Sequence, residues 1–506
     1  MTDRIVLYTK SLNEKSLLLL LLAITFGLRL YAVLTALGIA NDSAGYGFMA
    51  RDFLRGDYFE ALSPALHPLY PYLISLVSPN AASVEITGRL ISLLFGTFTL
   101  IPVYYLVKEA FGQKEALFSG LFYCFHPYLV AYSGMLLSEA TYWGLLALSV
   151  YFFWFGLKRG KSYQIIMAGV LLSLAYLARP EGMGYLAIFV LWLVIYGGIK
   201  KNGLWKLVLI PSLIFTFLIP AAPYLIHIRK ETGQWFISKK AFDTQIEFIA
   251  PVKMKEEKQE TRPAKVPKTG KKRIKIPGIV INISRFLPFT FYHYLRAYHF
   301  TLWIFLFLGL IRMRTGGTKA ELFLASLVLF HLVSLSTFIP STIRFSVPVV
   351  AISLFWAGTG TMELFRILAK LKVSNPGKWL SLLISLILVA QLVQIMRPER
   401  RHRLEQKTVG IWIRENTPAS AVIMSNSPQE AFYAIRRFVH LPTGRKSYDE
   451  VVHFAKEKGV QYVLINKNTK ETSPDFVNSI PSPDLKEVYR YQNKKGDITV
   501  VYEIRD

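Results

Sequence analysis

Residues 16–34 read "SLLLLLLAITFGLRLYAVL", and residues 38–59 read "GIANDSAGYGFMARDFLRGDYF". The first stretch is apolar for the roughly 20 residues that a helix needs to cross the hydrocarbon core of a bilayer. A helix is the expected form because lipid cannot satisfy exposed backbone polar groups. The second stretch is polar and aromatic. It carries a carboxylate, Asp42, just beyond the end of the span, and "LHPLYPYLISL" follows at 66–76. An acid held at a bilayer surface ahead of a Tyr/Phe/Arg segment suits the base of an enzyme working at the lipid–water boundary. The bland alternative is a helix N-cap, since Asp42 precedes "SAGYGFMARDFL".

Working outward, the pattern repeats. The chain has 506 residues, is 52% hydrophobic and has a mean hydropathy of +0.34. About eleven spans are expected, centred near Ile24, Phe95, Phe122, Leu146, Leu172, Val190, Ile214, Phe305, Leu327, Leu354 and Ile387. The third run is broken by His126-Pro127, and the fifth, "YQIIMAGVLLSLAYLA", is short. The net charge of +26 comes from 59 Lys+Arg against 33 Asp+Glu. In a soluble protein it would suggest nucleic acid. Here the basic residues gather in alternate short loops, such as Lys108/Lys114 and Lys158/Arg159/Lys161, so membrane topology explains them and no nucleic-acid partner is expected.

By the positive-inside rule these loops are cytoplasmic. The expected product is a multi-pass protein of the cytoplasmic membrane, its N-terminus inside, its first apolar run retained, and its C-terminal domain outside. The single cysteine, Cys124, excludes an internal disulfide and makes a cysteine metal site improbable.

The expected fold class is an all-α polytopic membrane protein with a small C-terminal α/β domain. The transmembrane domain spans 1–399, with a first outward loop over 37–85 and a large mobile outward loop over 229–290. The middle of that second loop, "KMKEEKQETRPAKVPKTGKKRIKIP", is rich in Lys and Pro and poor in apolar surface. The soluble domain covers 400–506. In it "SAVIMS" and "VQYVLIN" read as buried strands, "SYDEVVHFAKEKG" as a helix ending at glycine, and "EVYRYQNKKGDITVVYEI" as a hairpin.

Candidate chemistry gathers on the outward side. Asp42 is the first candidate, as a carboxylate able to take the proton of an attacking hydroxyl. Glu139, near the outward end of the fourth span, is the second. An ionisable group at membrane depth faces a cavity or a partner, although Ser138-Glu139 also reads as a helix start. The two acids together are candidate ligands of one divalent cation, Mg or Mn, that would neutralise a leaving phosphate. His67, Arg89, Arg179 and Arg344 are the basic candidates for binding a lipid phosphate, with Tyr70 and Glu181 beside them. Each arginine alone is better explained by snorkelling, whereas four cations converging with two acids make a site. Arg29 is expected to snorkel or pair structurally, His126 to be a satisfied core histidine, and His293 and His299 to belong to an interfacial aromatic belt.

These segments, in order, resemble polytopic glycosyltransferases of the GT-C class, in the protein-mannosyltransferase-like group that includes the lipid A aminoarabinose transferases (glycosyltransferase family 39 or 83 type). The resemblance is carried by "NDSAGYGFMARDFLRGDYF", "HPLYPYL", "GRLISLLFGTFTLIPVYYLVKEAFG", "LLSEATYWGLLALSVYFF", "LAYLARPEG" and "RFSVPVVAI". The tail "IWIRENTPASAVIMSNSPQEAFYAIRRFVHLP" looks like the soluble part of many members. The resemblance implies inverting transfer of one sugar, a hexose or pentose, from a polyprenyl-phosphate donor to an acceptor hydroxyl on protein, lipid or glycan in the cell envelope. It places the general base at Asp42 and the second acid at Glu139. The chain departs from the group in having His67-Pro68 where aminoarabinose transferases have Lys-Pro, and Ser43 where many members have a second acid. These departures argue against aminoarabinose transfer. Two further readings stand beside this one: a transporter or flippase of lipid-linked sugars, which needs polar groups across the midplane, and a non-catalytic membrane scaffold for the C-terminal domain.

Overall fold

A computed structural model describes residues 13–62, 65–199, 207–239, 278–316, 318–338, 342–397, 404–444, 446–480, 482–493 and 496–505. It is a helical bundle of membrane type with a small α/β unit at its C-terminal end. The Lys- and Pro-rich stretch of the expected 229–290 loop, and the expected domain boundary at 399/400, lie outside the described residues.

Six described helices are long and apolar enough to cross a membrane, or up to eight if each of two bent pairs is one span. Six of the eleven expected centres fall in these helices. Two more, Phe305 and Leu354, fall in the bent pairs: Asn282–Tyr298 with Phe300–Met313, turned by 83°, and Ile343–Ser353 with Phe355–Lys370, turned by 57°. The other three lie in helices that fall short: Gln113–Phe125, Ser162–Ala178 and Glu181–Tyr196. Apolar content alone does not measure helix continuity. Gln113–Phe125 stops because His126 is extended before Pro127, whose ring disfavours a helical residue ahead of it.

The two ends of the bundle differ chemically. At one, Lys108 Nζ lies 2.5 Å from Glu14 and Lys158 Nζ 2.6 Å from Glu109 Oε1. This brings together the start of the first helix (Glu14–Thr35), the end of Leu100–Phe111 and the end of Glu139–Arg159. Thr35 and Glu139 therefore lie at the opposite end. Close helix packing uses small residues, as is usual where lipid offers no hydrophobic drive between helices. Gly360 is one such point, since a Cβ there would overlap the carbonyl of Phe305 on the neighbouring helix.

Beyond Thr35 the chain forms short helices at Asn41–Leu54, which is mostly buried, Tyr58–Leu62 and Leu69–Val77. The C-terminal unit is a five-stranded sheet in the order β2-β1-β3-β5-β4. Its strands are β1 (Val422–Ser425), β2 (Arg437–His440), β3 (Tyr462–Ile465), β4 (Leu485–Gln492) and β5 (Ile498–Ile504). β1 runs parallel to β2 and β3, with Ile423 opposite Phe438 and Tyr462, and β4–β5 is an antiparallel hairpin. Side chains alternate between two cores: Val422, Met424, Val463 and Ile465 on one face, Ile423 and Leu464 on the other.

Candidate active site

Four separate segments deliver one ladder of alternating charge. Arg344 Nη1 donates to Asp42 Oδ2 at 2.6 Å, and its Nε donates to Glu139 Oε1. Arg179 Nη1 reaches the same Glu139 oxygen at 2.9 Å, and its Nη2 reaches Glu181 Oε1 at 3.0 Å. The order in space is Asp42, Arg344, Glu139, Arg179, Glu181.

Local sequence explains each placement. The Asn41–Leu54 helix starts after extended Ala40, whose N–H donates to Ser43 Oγ at 3.2 Å. Asp42 is thus not the N-cap. It sits in the first turn, where the helix dipole favours a carboxylate. Glu139 opens the Glu139–Arg159 helix. Arg179 is held extended, at φ −156° and ψ 141°, by the following Pro180, which ends one helix and lets Glu181 begin the next. Arg344 lies in the first turn of Ile343–Ser353.

Exposure grades along the ladder. The Glu139 side chain is fully buried, Arg179 is 7% exposed, Arg344 21% and Asp42 42%. Asp42 is therefore the open end, reachable by a substrate, and Glu139 is the buried centre, beyond which exposure rises again to Glu181. Two guanidiniums against three carboxylates leave the group one negative charge in excess. A buried acid of this kind is tolerated because both arginines hydrogen-bond to it. Glu139 Oε2 has no hydrogen-bond partner among the described residues. Surrounding groups fix the frame: Tyr46 on the Asp42 helix meets Ser138 Oγ at 2.7 Å, Tyr185 meets His331 Nδ1 at 2.8 Å, and His331 Nε2 meets the Phe345 carbonyl at 3.0 Å. Burial pushes the Tyr46 phenol up to about 12, so it stays a neutral hydrogen-bonding group.

The other sequence candidates stand apart. His67 is buried between Tyr176 and Tyr224, with Nδ1 at 2.7 Å from the Tyr176 carbonyl. Burial takes its imidazole down to about 4, so at neutral pH it is not the expected cation. Arg89 is spent on structure: its guanidinium contacts Glu85 at 2.5 Å and the carbonyls of Ala36 at 2.8 Å and Gly38 at 3.3 Å. The buried Tyr70 hydroxyl meets the Gly88 carbonyl and Ser92. Thus Asp42, Glu139, Arg179, Glu181 and Arg344 come together, and His67, Tyr70 and Arg89 do not join their ion pairs. Of the two outcomes expected for Arg29, snorkelling or structural pairing, the structure shows the second: it is fully buried, with Nε on Ser133 Oγ at 3.2 Å and its guanidinium over Tyr123. His299 is buried, meets Gln394 and Thr301, and packs against the Tyr128 and Phe300 rings.

Sequence reasoning passed over Tyr46, although its spacing of four from Asp42 puts both on one helix face. It also passed over Gln429, whose side-chain amide donates to Asn41 Oδ1. No local signal announces that contact.

The acids as placed do not suit a shared divalent ion. Arg344 stands between Asp42 and Glu139, and no three His, Cys, Asp or Glu side chains gather to hold a metal among the described residues. The guanidinium already supplies the bridging positive charge.

Comparison with known proteins agrees with this architecture. Residues 63–227 match the family model for dolichyl-phosphate-mannose-protein mannosyltransferase, which is less than half of the chain. No curated protein sequence matches. Among solved structures, ArnT from Cupriavidus metallidurans bound to undecaprenyl phosphate superimposes with a TM-score of 0.62 at 12% identity, covering 97% of this chain and 98% of that one. The same protein in its apo state gives 0.60 at 14% identity, covering 96% and 97%. The Archaeoglobus fulgidus oligosaccharyltransferase in its apo form gives 0.57 at 14% identity, covering 96% of this chain and 74% of that one. One structure of that archaeal enzyme is a complex with zinc and sulfate. At these identities the likeness establishes the fold alone, which this chain shares with ArnT and with the archaeal oligosaccharyltransferase.

Proposed function

We propose that the protein transfers a single sugar from a polyprenyl-phosphate donor to an acceptor hydroxyl, with inversion, at the extracytoplasmic face of the cytoplasmic membrane. The observation that carries this reading is the tie from Asp42 through Arg344 to Glu139, which joins an exposed acid to a buried one at the end of the bundle opposite the Lys108 and Lys158 pairs. The acceptor oxygen attacks the anomeric carbon, its proton passes to Asp42, and the carbon–oxygen bond to phosphate breaks with its electron pair leaving on the polyprenyl phosphate. Arg344 holds Asp42 by one oxygen and places positive charge beside the reaction, which favours a departing phosphate. The transferase domain is 1–399 and the soluble domain 400–506 in this reading.

Purified full-length protein, given polyprenyl-phosphate carrying radiolabelled mannose, glucose or a pentose together with protein, lipid and glycan fractions of the source envelope, should move label to one fraction. Asp42→Asn should abolish that transfer, by at least about a thousandfold on the scale of lost acid–base catalysis, while inserting and melting normally. Transfer at the unaltered rate in that variant removes Asp42 as the base.

A further inference from the structure

The C-terminal domain is seated on the helix that carries Asp42. Its short helix Pro428–Ala434 makes two different grips on Asn41–Leu54. The first is broad and apolar. Phe432 packs against Gly47, where a Cβ would overlap its ring, and Arg51 lies over that ring at 4.2 Å while donating to the Phe432 carbonyl at 2.9 Å. Phe48 adds ring contacts to Phe432 and Phe438. The second grip is a polar contact at the helix tip. Gln406 Nε2 donates to Ser427 Oγ at 3.0 Å, Ser427 Oγ donates to Gln429 Oε1 at 2.5 Å, and Gln429 Nε2 donates to Asn41 Oδ1. Gln429 is fully buried and Ser427 nearly so, so this relay is fixed before it reaches Asn41, the residue next to Asp42.

We infer that Gln429 is a positioning residue for sugar transfer: by holding Asn41 it fixes the first turn of the Asp42 helix, so that the C-terminal domain sets the turnover of a site built in the membrane bundle. This rests on the reading of Asp42 as the base. The broad grip accounts for attachment of the domain. The tip contact is the hydrogen bond from Gln429 to Asn41, and its consequence is the placement of the carboxylate. Helix ends fray when untied, and a shift of about 1 Å in a reacting group can lower a rate on the order of a hundredfold.

The test uses full-length protein in detergent with whichever radiolabelled polyprenyl-phosphate sugar and envelope fraction support transfer. Gln429→Leu and Asn41→Ala should each lower kcat about tenfold or more, with KM for the donor changed less than about twofold. The double variant should be no slower than the slower single one, since both remove the same tie. Hydrogen exchange of the 41–48 backbone should quicken in Gln429→Leu while β3 and β5 stay protected. Unaltered kcat in either single variant, a rise in KM in place of the fall in kcat, or additive losses in the double variant would overturn the inference. Should Gln429→Leu loosen the C-terminal sheet, Asn41→Ala decides, because it leaves that domain intact. If Asp42→Asn turns over normally, the base assignment fails, and exchange at 41–48 in Gln429→Leu still reports separately whether the tie orders the turn.

Discussion

Arg89 and Arg344 are both arginines at the same end of the bundle, yet they meet opposite surroundings. Arg89 lies at the junction of the first span and the Val84–Phe98 helix. Besides Glu85, its partners are the backbone carbonyls of Val33, Ala36 and Gly38. Those carbonyls belong to the end of a helix and the chain leaving it, where four acceptors lack partners within the helix. Arg89 therefore staples the exit of the first span and thereby the approach to Asn41. Arg344 meets carboxylates from two other segments. Carbonyl partners make a guanidinium a structural clasp. Carboxylate partners, one of them half-open to solvent, make it part of a charge arrangement that a substrate can perturb.

That contrast can be broken experimentally, most forcefully at Arg344. Arg344→Lys keeps the charge but loses the planar fork that bonds two acids at once. Transfer should fall on the order of a hundred- to a thousandfold, the scale of losing one charge-stabilising donor, with a smaller change in thermal stability. If the lysine variant turns over like the parent, the ladder is only structural.

Arg89→Met should show the reverse. Removing it strands three carbonyls and leaves Glu85 only Tyr433 and the longer Lys407 contact, at a cost of about 3 kcal/mol, so the apparent Tm should drop by several degrees while the folded fraction keeps most of its kcat. A collapse of kcat without a change in Tm would erase the distinction between the two arginines.

Glu430 sharpens the comparison from the other side, as a buried acid met by Ser427 and Asn466 in place of an arginine. Burial raises its carboxyl to about 7. The folded state then keeps a proton that the unfolded chain has already released, so stability falls as pH rises from the ordinary carboxylate range to about 7 and levels off above it. The loss totals roughly 3 kcal/mol at about 1.4 kcal/mol per pH unit. Glu430→Gln should flatten that slope and raise the apparent Tm of the C-terminal domain at pH 8 but not at pH 4.5. An unchanged slope would show that the carboxyl ionises in the ordinary range.

Much of this was legible in the chain itself. All eleven expected span centres fall within helices or at the bend of one, and "VQYVLIN" and the hairpin around Gly496 became β3 and β4–β5. Asp42, Glu139, Arg179, Glu181 and Arg344 stood out because charge at the margin of an apolar run needs a reason. β2 is not legible in "RFVH": β1 and β3 are equally short but buried throughout, whereas β2 is only partly buried and acquires its identity from pairing with β1. His67 read as a cation because histidine is commonly exposed. Only the packing of Tyr176 and Tyr224 around it removes the charge.

The sequence by itself determined which segments are apolar enough for membrane, which helices proline would interrupt, and that charge collects between them, because these follow from the transfer of side chains into lipid and from local backbone sterics. Tertiary structure alone decided which arginine meets carboxylates and which meets carbonyls. It also decided that a glutamine far along the chain grips the asparagine beside Asp42. Such pairings depend on distance and desolvation between residues from 51 to 388 positions apart, and no local pattern of residue types carries that information.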